Sequence, residues 1–310
     1  MLASVTAEQV PDASTQVAAA VAVPLRIAVG VGLLGGTVGA LLGGGTGVVT
    51  VPALDRLTTL RRGTIHGTAS LVNVAVAVAG AAVYELRGGH LDTTAGAGLM
   101  IGGVTGALLG ARIAARAGDQ ALRMAFAAVL ATAGTELCLD TAGIGPSSSS
   151  PLLPAALRGD VPAVVALTVV IGIVVGTWSA AMGLGGGSLT VPVLILLFGV
   201  APHTAEGTSL LVMLPNSVAA SAQHLRQRTA SAPLGATLAC GAAPGAILGA
   251  SVGLTLSSTV LDWVFGLFIL FVATRELRRM HLARRALTRP AVTRLGPRRG
   301  SRRASGPEHR

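Results

Sequence analysis

The sequence predicts an all-α integral membrane protein made of two inverted repeats. Each repeat is expected to contain a broken, Gly-rich helical hairpin followed by three transmembrane helices, which gives about eight transmembrane segments in all. Three observations predict this fold class: an apolar composition, an internal duplication, and arginines that change sides between the two copies.

The composition disfavours a soluble fold. Of the 310 residues, 51% are hydrophobic and only 12% are charged, with a mean hydropathy of +0.70. A soluble domain usually has about twice that charged fraction. The 42 glycines also fit a membrane protein, because small residues let membrane helices approach one another closely.

The formal net charge of +10 is concentrated at the C-terminus. Residues 275–310 hold twelve arginines and two glutamates, whereas residues 1–274 hold eleven arginines and eleven acidic residues. Such a tail after a hydrophobic segment predicts a cytoplasmic position against anionic lipid, with each charge contributing about 1 kcal/mol. Nucleic-acid binding is not expected, because no aromatic residues lie between the arginines to stack on bases.

The chain is an internal duplication. Shifting it by 140 positions superimposes two Gly-rich stretches and the Thr-Val-Pro that follows each of them. The matched segments are Gly43 to Pro52 with Gly183 to Pro192, Gly67-Thr68 with Gly207-Thr208, and, after a one-residue slip, 106–111 with 245–250.

The duplication divides the chain into five parts. They are an N-terminal lead (1–23), a first transmembrane repeat (24–140), a linker (141–160), a second transmembrane repeat (161–274) and a basic cytoplasmic tail (275–310). The lead lacks a basic start and a cleavage site, so we expect it to be retained. The linker is rich in serine and proline, which is typical of a connection.

Arginine placement predicts that the repeats point in opposite directions. In the first repeat the arginines follow the broken element (56, 61, 62) and the third segment (112, 116, 123), whereas in the second they lie at 226 and 228 and in the tail. By the positive-inside rule, both termini are then cytoplasmic in a multi-pass protein of the plasma membrane. Inversion requires an odd number of crossings per repeat, so the Gly-rich element must enter and leave on one side.

The Gly-rich stretches are the predicted substrate site. Glycines interrupt a helix and expose amide N–H groups at the start of the next one, where anions bind. Interrupted segments matched across an inverted repeat indicate a transport site. The predicted substrate-binding glycines are Gly43, Gly45, Gly47, Gly183, Gly185 and Gly187. Two other glycine series, 102/106/110 and 241/245/249, are explained better by close helix packing.

A second repeated pattern supplies hydroxyl groups near another helix start. Thr68, Ser70, Thr208 and Ser209 either complete an anion site or bond to the helix backbone, and the sequence favours neither. Likewise Asn73, Asn216 and Gln223 either bind substrate or join helices.

Two titratable residues occupy equivalent positions, His66 and Glu206. Ionisable groups at membrane depth are candidates for proton coupling. Both lie near predicted helix ends that water reaches, so we expect solvated boundary residues in preference to coupling groups.

The sequence contains no enzyme motif, and we expect neither a cofactor nor a metal. There is no lysine for a nucleotide-binding loop. Cys138 and Cys240 have no metal-ligand spacing and are expected to be small packing residues.

These motifs resemble the sulfite exporter TauE/SafE family. The resemblance rests on the Gly-rich element before Val-Pro in both halves, on Pro202 to Leu210, and on G-A-x-L-G-A at 106–111 and 245–250. It covers roughly residues 25–275, and it implies secondary transport of sulfite, a sulfonate or a related organic anion across the cell membrane.

The sequence thus predicts an anion transporter that works by alternating access, with a small anionic substrate and membrane lipids as its partners. Two alternatives remain: a passive anion channel on the same fold, and a membrane scaffold whose basic tail recruits a partner. The substrate, the direction of transport, the coupling ion and the oligomeric state do not follow from the sequence.

Overall fold

The computed structural model describes residues 23–87, 91–113, 119–144, 153–154, 159–182 and 187–288. Within these ranges the protein forms ten α-helices and no strand, as expected for an all-α protein. We number the helices α1 (Leu25–Leu41), α2 (Gly47–Leu57), α3 (Arg62–Leu86), α4 (Thr93–Ile113), α5 (Asp119–Thr141), α6 (Val161–Met182), α7 (Gly187–Phe198), α8 (Pro202–Arg226), α9 (Ala232–Thr255) and α10 (Ser258–Thr288). Most of the predicted lead, linker and tail lies outside the described residues.

Four of the helices have the length and apolar character needed to cross a membrane, namely α3, α6, α9 and α10. Shorter apolar helices lie at Leu25–Leu41, Thr93–Leu108 and Leu189–Phe198. The 25-residue α8 belongs to neither group, although it is as long as α3. Its polar side chains lower its hydropathy, and several of them, including Glu206 and Asn216, are buried inside the protein. The fold is thus that of a multi-pass membrane protein.

The first broken element folds back on itself. A side-chain carbon added at Gly39 would lie 2.7 Å from the carbonyl carbon of Gly45, and one at Gly35 would lie 2.8 Å from Thr50 Oγ1. The chain therefore turns after α1, and α2 runs back along it. Gly43 and Gly45 form this turn with φ angles of 54° and 78°, which side chains disfavour. The predicted break at Gly43 to Gly47 is confirmed.

Glycines bring α1 against α9, and α4 against α6. A side-chain carbon at Gly245 would lie 2.2 Å from the Leu33 carbonyl oxygen, and one at Gly102 would lie 2.0 Å from the Val169 oxygen. A side-chain carbon at Gly106, Gly241 or Gly249 would likewise clash with a backbone carbonyl oxygen of the facing helix. The prediction that these two series serve packing is confirmed, except at Gly110, which lies outside the described side chains.

Helices at equivalent places in the duplication run antiparallel. The early part of α3 contacts the end of α8, where Gly67 lies against His224, and the end of α3 contacts the start of α8, where Tyr84 lies against Gly207. The two halves are therefore joined along α3 and α8, each of which follows the Gly-rich element of its own repeat.

Candidate functional site

The start of α7 meets the turn between α1 and α2. A side-chain carbon at Gly187 would lie 1.7 Å from the Gly43 carbonyl oxygen, so this position has no room for any side chain. Val191 of α7 also packs against Gly43, and Ser209 Oγ of α8 donates a 2.7 Å hydrogen bond to the same Gly43 oxygen. Two of the predicted site glycines, one from each repeat, are therefore in contact. Gly183 and Gly185 lie outside the described residues.

Most amide groups of the turn are used to close it. The Gly44 and Gly45 amides donate to the Gly39 carbonyl at 2.9 and 3.3 Å, and the Gly43 amide donates to the Ala40 carbonyl at 3.3 Å. The first amides of α2 differ, because a helix start has no preceding carbonyls to accept from them. Among the described residues, Gly47 and Val48 are the first helical positions whose N–H groups have no backbone acceptor, which makes them candidates for binding an anion.

Asn73 fixes the start of α2. Its Oδ1 accepts hydrogen bonds from the Thr46 amide at 2.7 Å and from Thr46 Oγ1 at 2.9 Å. Asn73 is completely buried close to the middle of α3, and its Nδ2 has no hydrogen-bond partner among the described residues. A buried amide group with two unused N–H donors is costly unless it meets an acceptor. Asn73 therefore combines a structural bond with an unused donor at the helix start.

Thr50 adds a hydroxyl group in the first turn of α2. It is completely buried, and its Oγ1 has no hydrogen-bond partner in the described part of the chain. The first turn of α2 and its neighbour Asn73 thus carry several unused donors at the positive end of a helix dipole, with Thr50 Oγ1 facing Gly35 of α1. This arrangement suits an anion.

Thr68 and Thr208 make matching bonds across the two repeats. Thr68 Oγ1 donates to the Thr64 carbonyl at 2.7 Å and accepts from the Ser231 amide at 3.0 Å. Thr208 Oγ1 accepts from the Asp92 amide at 2.9 Å. Ser231 and Asp92 directly precede α9 and α4, so each threonine holds the start of a helix in the opposite repeat.

The serine hydroxyls are also engaged. Ser70 Oγ donates to the His66 carbonyl at 3.1 Å within α3, while Ser209 Oγ is bound to Gly43. These bonds favour the alternative in which the hydroxyls of this pattern stabilise helices. Their part in substrate binding stays a prediction.

Glu206 is not the solvated boundary residue that we expected. It is completely buried, and one carboxylate oxygen, Oε2, accepts a hydrogen bond from the Tyr84 hydroxyl. The other oxygen, Oε1, has no partner among the described residues. The sequence did not reveal this burial because Tyr84 lies in the other repeat, 122 positions away.

His66 has a different environment from Glu206. It is half-buried and lines a small pocket of about 20 Å³ with Val51, Ile65 and the ion pair between Arg62 and Asp55. That pair is exposed, with 3.8 Å between Arg62 Nε and Asp55 Oδ1, which agrees with a boundary position for His66. The described residues contain no cluster of three histidine, cysteine or acidic side chains able to hold a metal.

Sequence reasoning left Asn73 open between substrate binding and helix contact, and it gave no role to Thr50 or Tyr84. A signal existed for two of these three residues. Tyr84 is the only tyrosine in the chain, and Asn73 is a lone amide between valines in an apolar run. Thr50 belongs to the repeated Thr-Val-Pro, but that match did not indicate an unpaired buried hydroxyl, since threonine is common in membrane helices.

The comparisons with known proteins agree with the membrane fold. The family model described as "Sulfite exporter TauE/SafE" matches residues 2–137 and 167–306. A relative from Bacillus subtilis (strain 168), "Probable membrane transporter protein YunE", is 25% identical over 259 residues, which cover 79% of this chain and 94% of the relative. No solved structure matches.

Proposed function

The chain belongs to the sulfite exporter TauE/SafE family, and we propose on that premise that it is a secondary transporter of a small anion such as sulfite or a sulfonate. Transport proceeds by alternating access between two inverted repeats in the plasma membrane, with both termini in the cytoplasm. The observation that carries this proposal is the set of unused, buried donors where α2 begins, directly after the turn that Gly187 of the other repeat contacts.

The inverted arrangement is supported by helix direction and by charge. Because α3 and α8 run antiparallel, equivalent helices cross the membrane in opposite senses. The arginines near the start of α3 and the end of α8 then lie on one side, which the positive-inside rule makes the cytoplasm. The arginine-rich tail lies on the same side, where it contacts anionic lipid.

The depth of the donors supports a transport site. Thr46 is bound to Asn73, close to the middle of a helix long enough to span the membrane. An anion loses its hydration there, so it needs N–H and O–H donors to replace water. The amides of Gly47 and Val48, Asn73 Nδ2 and Thr50 Oγ1 supply such donors without a full positive charge, which would hold the anion too tightly to release.

The substitution Asn73→Asp tests this site with little change in shape. At a pH at which the new aspartate is ionised, one of its oxygens can still accept the bonds from Thr46, but the position of Nδ2 becomes an acceptor that repels an anion. A lost hydrogen bond to a charged group corresponds to about 1.5–3 kcal/mol, so we expect uptake of labelled sulfite and sulfoacetate into proteoliposomes to fall at least about tenfold.

Two controls make this test specific. Asn73→Leu removes both the bond to Thr46 and the unused donor, so it should lose thermal stability as well as uptake. Asn73→Asp keeps the bond to Thr46 but buries a carboxylate, which also lowers thermal stability, so uptake is compared per folded protein. Glu136→Gln, an exposed change on α5, should alter neither property. Normal uptake per folded Asn73→Asp protein would remove Asn73 from the site.

A further inference from the structure

We propose that Glu206 is the proton-binding group that couples anion transport to a proton gradient, with Oε1 taking the proton while the Tyr84 hydroxyl holds Oε2. This inference rests on the transport function proposed above and names its coupling ion. It depends on two features: an isolated buried carboxylate held by Tyr84, and the contact of the Glu206 backbone with the Gly-rich turn that leads into the proposed anion site.

No cation compensates the Glu206 carboxylate in the described structure. On α3 the facing group is Tyr84, and Arg87, one turn further on, donates from Nη1 to Ser251 Oγ at 3.0 Å. At the start of α4, Asp92 Oδ1 accepts from the amides of residues 94 and 95.

The other helices that contact α8 add no partner for Glu206. Helix α7 has no titratable residue, α9 has only the exposed Cys240, and α1 has only Arg26 at its far end. Two further titratable residues lie on α10 and on α8 itself. Asp262 is the acidic residue of α10 within the membrane segment, and half-buried His203 precedes Glu206 by one turn on α8. Neither is hydrogen-bonded to Glu206 in the described structure. An isolated charge at this depth is costly, so protonation strongly stabilises the buried state.

Glu206 is in contact with the turn that carries the proposed anion site. A side-chain carbon at Gly43 would lie 3.3 Å from Glu206 Cα and 3.4 Å from its carbonyl oxygen. Three residues later on the same face of α8, Ser209 is hydrogen-bonded to Gly43. On the other side, Gly253 of α9 closes around the pair, since a side-chain carbon there would lie 2.8 Å from Tyr84 Oη and 3.3 Å from Glu206 Oε2.

Charge then sets the sign of the coupling. Across a low-dielectric interior a Glu206 carboxylate repels an anion bound beyond the Gly-rich turn, and a protonated Glu206 does not. Proton binding and anion binding therefore favour each other, and this coupling is reciprocal. In one access state the carboxylate takes one proton from water to form a neutral carboxyl group, and in the other state it returns that proton to water. The anion and the proton thus cross in the same direction.

The test uses Glu206→Gln in the full-length protein in proteoliposomes, with labelled sulfoacetate as the probe. Glutamine imitates the protonated group but cannot release a proton. We expect exchange of labelled for unlabelled sulfoacetate to persist, while accumulation driven by a proton gradient falls at least tenfold. Tyr84→Phe should shift the pH dependence of uptake and retain exchange. Glu85→Gln, an exposed neighbour on α3, should leave both properties unchanged.

The outcomes separate this inference from the proposed function. If Glu206→Gln still accumulates the probe with the gradient, or if wild-type transport ignores the gradient, Glu206 is not the coupling group and the transporter proposal stands. If the wild type moves no anion at all, the transporter proposal fails. In that case pH-difference infrared spectra decide on Glu206: a protonated-carboxyl band that is lost in Glu206→Gln supports proton binding, and an unchanged band overturns it.

Discussion

Single buried polar groups supply the donors of the proposed site. Thr50 can be tested alone, because its hydroxyl makes no bond in the described region that holds the structure together. Its hydroxyl is buried without a partner in the described region, so Thr50→Val keeps the shape and removes only a donor. We expect unchanged thermal stability and a several-fold fall in anion affinity, measured as the half-saturating concentration in the proteoliposome assay. Thr105→Val, at an exposed threonine that bonds its own helix, is the matched control. A larger effect at Thr105 than at Thr50 would contradict the assignment.

At this scale the sequence predicted residue types better than residue roles. The Gly-rich turn could be located because consecutive glycines before Val-Pro have few other uses. The role of Asn73 depends on Thr46, and that of Glu206 depends on Tyr84, both through contacts distant in sequence. From the sequence, Thr68 and Thr208 could equally bind an anion or bond to backbone; their bonds to the Ser231 and Asp92 amides favour the backbone role.

Helix pairs held together by glycine are the main elements of the fold. Gly245 on α9 faces the Leu33 carbonyl at a distance that leaves no space for a methyl group, so Gly245→Ala must push α1 away. We expect a loss of about 1–3 kcal/mol in stability, seen as a lower melting temperature in detergent. Gly30→Ala on α1 has open space around it and should be neutral or slightly stabilising. Equal effects of the two changes would contradict this packing.

The elements themselves were largely predictable, because the length of a membrane helix follows from its apolar run and its contact face from the spacing of its small residues. The paired glycine series and the break after α1 follow from small residues at fixed spacing. The character of α8 was harder to predict, since its polar residues are buried against other helices and escape a hydropathy measure. Which helices of one repeat contact which helices of the other depends on packing between halves, and no local pattern encodes it.

For the whole molecule, the proposed inversion makes a prediction about the two sides of the membrane. Arg61 and Ala201 are equivalent in the duplication, directly precede α3 and α8, and have nearly the same backbone angles, with φ of −61° and −57°. Both are exposed. In a background where Cys138 and Cys240 are alanine, we expect Ala201→Cys to react with a membrane-impermeant maleimide in intact cells, and Arg61→Cys to react only after the cells are opened.

The opposite ends of the same helices provide the control for this experiment. Leu86→Cys and Arg226→Cys, at the exposed ends of α3 and α8, should show the reverse pattern, with only Leu86→Cys labelled from outside. Four positions on two helices then define both directions, because one misplaced loop cannot reverse all of them. Labelling of Arg61→Cys and Ala201→Cys from the same side would mean that equivalent helices cross in the same sense. Alternating access between inverted halves would then be excluded, since neither half could reproduce the other's state on the opposite side of the membrane.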